Sequence, residues 1–253
     1  MPYKTIQTDR LMTYVYDTRR EMGKAAAEAA AAAIRQVLLE KETANVIFAA
    51  APSQNEMLEA LLREDVDFSR VNAFHMDEYL GLGMADPQSF ASYLNEHIWS
   101  KAPFRSVHGI PATLPAEEAC SAYTQLLQEY PTDVVCMGIG ENGHIAFNDP
   151  PVADFHDPHI IKAVVLDPIC RMQQVHDGCF PTLEDVPTHA LTLTVPALIS
   201  AKHLICTVPG PTKAAAVLRM ICGSIGEACP ATILRLHDHA AMFLDMESAK
   251  ELL

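Results

Sequence analysis

The sequence has no C-x-x-C pair. Its seven cysteines, at 120, 136, 170, 179, 206, 222 and 229, are odd in number and scattered. That argues against a disulfide framework or a cysteine zinc site and suits reduced thiols in a cytoplasmic protein. No apolar run is long enough to span a bilayer, and the first residues, MPYKTIQTDR, lack a signal-peptide core. Positive charge is scarce: 18 Lys and Arg stand against 32 Asp and Glu, for a formal net charge of −14. So acidic a chain is ill-suited to nucleic acid or an anionic membrane as its main partner, whereas a local basic pocket can still take an anionic small molecule. No stretch rich in Gly, Ser or Pro divides the 253 residues, which predicts one domain spanning 1–253. Oligomeric state is left open, a homo-oligomer included.

What is present is a repeated alternation. Residues 19–42, RREMGKAAAEAAAAAIRQVLLEKE, read as an alanine-rich helix packed closely on a sheet. Four apolar runs follow, each ending in a polar cluster: Val46–Ala51, Val71–Met76, Asp133–Met137 and His203–Val208. Ala190–Val195 and Ala240–Leu244 are shorter strand candidates. Strands alternating with helices predict an α/β fold, a mostly parallel Rossmann-like sheet with helices on both faces. Ligands bind such sheets outside the carboxyl ends of the strands. The clusters Ser53–Glu56, Asp77–Glu78, Gly138–Asp149 and Gly210–Lys213 all fall there, and one shared cleft accounts for them.

The richest cluster is GIGENGHIAFNDPP (138–151). Its glycines, Gly140 among them, permit a tight backbone path near a ligand, and that path presents Asn142, His144 and Asp149. A histidine beside a carboxylate is a proton-transfer unit, because the carboxylate fixes the tautomer and supports the imidazolium. Spacing alone fits equally a glycine turn whose histidine is satisfied by backbone. The imidazoles of HDPH (156–159) and HDH (237–239) lack H-x-x-x-H or cysteine partners, so no metal or other cofactor is expected. The first cluster, PSQNE (52–56), has no glycine. Ser53-x-x-Glu56 reads there as a capping box, which puts a carboxylate at a helix N-terminus where it repels a dianion.

GIGENGHIAFNDP resembles the G-x-G-x-[ND]-G-H-I-[AG]-F-N-E-P signature of glucosamine-6-phosphate deaminases, also called isomerases. FHMDEYLGL, HALTLTVPALISAKHLICTVPGPTKAAAV and ATILRLHDHAAMFLD resemble further segments of that family in the same order, covering most of the chain from Val46 onward. The resemblance implies ring opening of an amino sugar, proton transfer from C2 to C1, and release of ammonia to leave a ketose. It makes Asp77 the base at C2 and His144 the acid/base at the ring oxygen, oriented by Asp149 with Asn142 beside it. Asp149 stands where the family usually has Glu, one methylene longer. The resemblance also places the substrate among Ser53, Gln54, Asn55, Glu56, Glu78 and Gly140, with Lys213 on its phosphate. A lysine in the first turn of a helix opposes the helix dipole, so stability alone does not choose it. Gln174 takes the approximate position of a phosphate-binding Arg. Arg171, one turn earlier, is expected to reach in instead.

The implied function is an aldose–ketose isomerase/deaminase acting on an amino sugar phosphate, with reduced dependence on the phosphate. Two alternatives stand beside it. A sugar-lactone hydrolase of the 6-phosphogluconolactonase type carries G-x-D-G-H, but here IAFNDPP follows His144. A non-catalytic sugar-phosphate sensor leaves Asp77 and His144 without use.

Overall fold

In the computed structural model, which describes residues 1–253, the alanine-rich segment forms helix α1 (Arg19–Glu40). Thr18 caps it, its hydroxyl accepting from the Glu21 amide at 3.2 Å. Met22, Ala26, Ala27, Ala30, Ala31, Ile34 and Val37 form its buried face. Small side chains let neighbouring backbone approach: a Cβ at Gly23 would meet the Glu56 Cβ at 2.4 Å, so α1 crosses the next helix closely at this point.

Eleven strands follow the chain: β1 (Lys4–Thr8), β2 (Leu11–Tyr16), β3 (Ala44–Phe48), β4 (Val71–His75), β5 (Asp77–Tyr79), β6 (Ser106–His108), β7 (Val134–Met137), β8 (Ile161–Val165), β9 (His189–Leu193), β10 (His203–Val208) and β11 (Ala240–Asp245). The remaining helices are α2 (Asn55–Leu61), α3 (Phe90–His97), α4 (Ala116–Glu129), α5 (Pro168–His176), α6 (Val195–Ile199), α7 (Ala214–Cys222) and α8 (Met246–Ala249). The main sheet has the order β1-β2-β11-β10-β7-β3-β4-β6, parallel throughout except for the β1–β2 hairpin. This is the expected α/β architecture.

Side chains alternate along the central strands between two cores. Val46 and Phe48 of β3 join the core containing α1, whereas Ile47 joins the core on the opposite face. Val134 and Cys136 of β7 divide from Val135 and Met137 in the same way. A strand buried on both faces reads as an unbroken apolar run, which is why these strands are legible from sequence.

A second sheet, β5-β9-β8, is small and antiparallel. The expected strand at 190–195 belongs to it rather than to the main sheet, and Asp77–Tyr79, expected as a loop, is its edge strand. The N-terminal hairpin, β6 and β8 have no counterpart in the sequence reading, since short or half-exposed strands leave weak periodic signals.

Candidate active site

From β3 the chain moves outward through β4 to β6, and from β7 it moves outward the other way through β10 and β11. The direction reverses between β3 and β7, and a crevice opens at the carboxyl ends beside such a reversal. Ser53 and Gln54 from the β3 end, Asp77 from the β4 end, Gly140 and His144 from the β7 end, Gln173 and Gln174 of α5, and Lys213 beyond β10 line one pocket there. Four separate polar clusters thus supply a single site, as the sequence reading expected.

His144 anchors the β7 side. Its Nδ1 lies 2.9 Å from Asp149 Oδ1 and 2.8 Å from Asn142 Oδ1. Asn142 Nδ2 donates to the same Asp149 oxygen at 2.8 Å. With Nδ1 engaged by this relay, Nε2 is the ring nitrogen left for the pocket. Gly140 serves the ring by lacking a side chain, because a Cβ there would sit 2.1–2.3 Å from imidazole atoms. Gly143 turns the loop at φ +89°, and its amide donates to the Gly140 carbonyl at 3.0 Å. Burial pushes the Asp149 carboxyl up, but His144, by hydrogen bond and charge, together with Asn142 and Cys170 outweighs it, and the net displacement is downward. The carboxylate is therefore held ionised.

Asp77 stands alone across the pocket. It is 8% exposed, and burial, reinforced by the charge of Glu78, pushes its carboxyl well above the usual range. A buried carboxylate without an ion-pair partner has high proton affinity, as a general base requires.

Several predicted ligands are occupied elsewhere. Glu78 points away from the pocket: its carboxylate accepts from the amides of Tyr79 and Phe90 at 3.0 Å and of Ala91 at 2.9 Å, capping α3. The capping box at 53–56 does not form, and α2 begins without a side-chain cap. Instead Glu56 Oε1 pairs with Arg19 Nε of α1 at 2.7 Å, and Asn55 Oδ1 accepts from the Tyr93 hydroxyl. Gln54 is fully buried, accepting from the Thr207 hydroxyl at 2.6 Å and donating to Ser53 Oγ at 3.1 Å. A Cβ at Gly138 would press on that amide at 2.9 Å. Arg171 does not reach in: its guanidinium donates to the Leu183 and Val186 carbonyls at 2.6 and 2.7 Å. The carbonyls of Leu183 and Val186 offer Arg171 the nearer partners.

Lys213 is buried rather than solvated, and burial, offset in part by Asp177 and Glu141, lowers its pKa. It is the one cation lining the pocket. The sequence reading missed Gln173, whose Oε1 accepts from the Glu141 amide at 3.0 Å and holds the glycine loop against α5. Its i, i+3 spacing from buried Cys170 was the available signal. The histidines of 156–159 and 237–239 lie outside the pocket.

A family model described as glucosamine-6-phosphate isomerases/6-phosphogluconolactonase matches residues 17–243. The chain belongs to this family. Among curated family members, a glucosamine-6-phosphate deaminase of Listeria monocytogenes is 36% identical over 208 residues, covering 81% of this chain and 86% of its own. One from Bacillus cytotoxicus is 31% identical over 224 residues, covering 88% and 83%. A solved monomeric glucosamine-6-phosphate deaminase superposes with a TM-score of 0.85 at 29% identity, covering 94% of this chain and 98% of that one. The 6-phosphogluconolactonase of Thermotoga maritima, at 19% identity and a TM-score of 0.76 over 93% of this chain and 99% of that one, shares the fold. The chain is thus a family enzyme of the deaminase type, and none of its helices is long and apolar enough to cross a membrane.

Proposed function

We propose that the enzyme is a deaminating aldose–ketose isomerase acting on a 2-amino sugar, in phosphorylated form resembling glucosamine-6-phosphate. The observation that carries this reading is the placement of two unlike proton carriers, Asp77 and His144, on one pocket, with a relay behind only the second. His144 passes a proton to and from the ring oxygen and opens the sugar to its aldehyde. Asp77 then removes the proton at C2, which the adjacent carbonyl acidifies, and returns it to C1. The resulting ketimine takes up one water and releases ammonia, leaving the ketose. A 2-amino substrate brings its own ammonium, which draws the neighbouring Asp77 carboxyl toward its ionised, basic form.

A lactonase needs a single base to activate water. It makes use of His144 and leaves Asp77, buried at a cost, idle. The far end of the substrate meets Lys213, Ser53 and the Gln174 amide, which supports a weaker demand for a phosphate dianion than a site with a second cation would impose. The deciding assay is ammonia release over a panel of amino sugars, with and without phosphate, beside a sugar-lactone control. Lactone hydrolysis without ammonia release would overturn the reading.

A further inference from the structure

Asp149 is 1% exposed and uses only one of its oxygens toward the relay. The other, Oδ2, is buried and has no hydrogen-bond partner. An ionised carboxylate oxygen left in this state is costly, and one further polar group lies close to this carboxylate. Cys170, in the first turn of α5 and 1% exposed, brings its sulfur to the relay: one donor atom each from His144, Asp149 and Cys170 lie within 4.8 Å of one another. Burial, followed by the charges of Asp149 and Asp77, pushes this thiol well above the usual range, so it keeps its proton. A protonated thiol is a donor, if a weak one.

We propose that Cys170 is a positioning residue of the proton relay: its S–H donates to Asp149 Oδ2, pinning the carboxylate so that Oδ1 stays on His144 Nδ1. The bond also draws electron density from the carboxylate and so limits how strongly it supports the imidazolium. The titratable groups facing Cys170 are Asp77, His144, Asp149, Asp167, Tyr79 and Lys213, all retained in the variants below.

The test compares Cys170→Ser, which keeps a hydroxyl donor, with Cys170→Ala and Cys170→Val, which remove it while Val fills the volume. The first readout is the titration of the His144 ring by NMR, which needs no turnover. The expected result is a rise of about half a pH unit or more in Ala and Val, with Ser at or below the wild-type value. The second readout rests on the proposed deamination: the acid limb of kcat/KM moves to higher pH in Ala and Val, kcat falls more than KM changes, and Ser restores both. Wild-type titration in Val and Ala would overturn the proposal, as would a Ser variant that behaves like Val. Stoichiometric metal that Cys170→Ala removes would also overturn it. Absence of deamination together with the expected NMR pattern would count against the proposed activity alone.

Discussion

Arg19 Nε holds Glu56 Oε1 at 2.7 Å across the α1–α2 contact, with both side chains partly buried. The carboxylate that looked from sequence like a guard against a phosphate is neutralised and turned toward α1. Arg19 itself also donates to the Pro52 carbonyl, which ties the loop that follows β3 to α1. Glu56→Ala is expected to lower stability by about 1 kcal/mol, the scale of a partly exposed ion pair. It should leave kcat/KM for any substrate unchanged. Denaturant unfolding and steady-state kinetics on the one variant check both statements, and a change in selectivity toward phosphorylated substrate would refute the first-principles reading of the pair.

Asp77→Asn removes the base and keeps the shape. Turnover is expected to fall by about three orders of magnitude or more. The folded state should lose nothing, since burial of the ionisable group is unfavourable and the amide relieves it. Ammonia release and thermal unfolding measured together separate the two effects. Full activity in this variant would end the deaminase mechanism.

Gln174 lines the pocket next to a single buried lysine. Gln174→Arg is expected to raise kcat/KM for a phosphorylated amino sugar relative to its free form by about tenfold, because a second cation adds a charge-assisted pair. Lys213→Met should reduce that ratio. Competition between the two substrates in one reaction measures the ratio directly, and a Gln174→Arg variant with an unchanged ratio would place the substrate's far end elsewhere.

Burial raises Glu78 to about 7, against three backbone hydrogen bonds that lower it. The native state therefore binds a proton more tightly than the unfolded chain does. This contribution is complete below the unfolded carboxyl value and is lost as pH rises through about 7. Asp149, displaced downward, works in the opposite sense at lower pH. His75, lowered to about 3 by burial, also favours higher pH below its unfolded value. The clean measurement is thus a difference: the stability of wild type minus Glu78→Gln, from urea unfolding between pH 5 and 8. It should decline with pH by up to about 1.4 kcal/mol per unit, the value of one coupled proton. A flat difference would show that Glu78 is not coupled to folding.

The strands β3, β4, β7 and β10, and the helix α1, were legible in the chain itself. Continuous apolar runs and an alanine-rich stretch restrict the local choices to buried strand and close-packed helix. The cleft followed from where those strands end, and so did the membership of Asp77, His144, Gly140 and Lys213 in one pocket. The partners of each polar side chain were a different matter. Glu56 chose Arg19, Glu78 chose the amides of α3, Arg171 chose two carbonyls, and Gln54 reached Thr207, 153 positions away in sequence. A hydrogen bond or ion pair is decided within an ångström by which long-range neighbour arrives first, and sequence spacing carries that information only inside one helix or one turn. The chain's order of elements determined where chemistry gathers; the tertiary packing decided which of the gathered groups were left free to perform it.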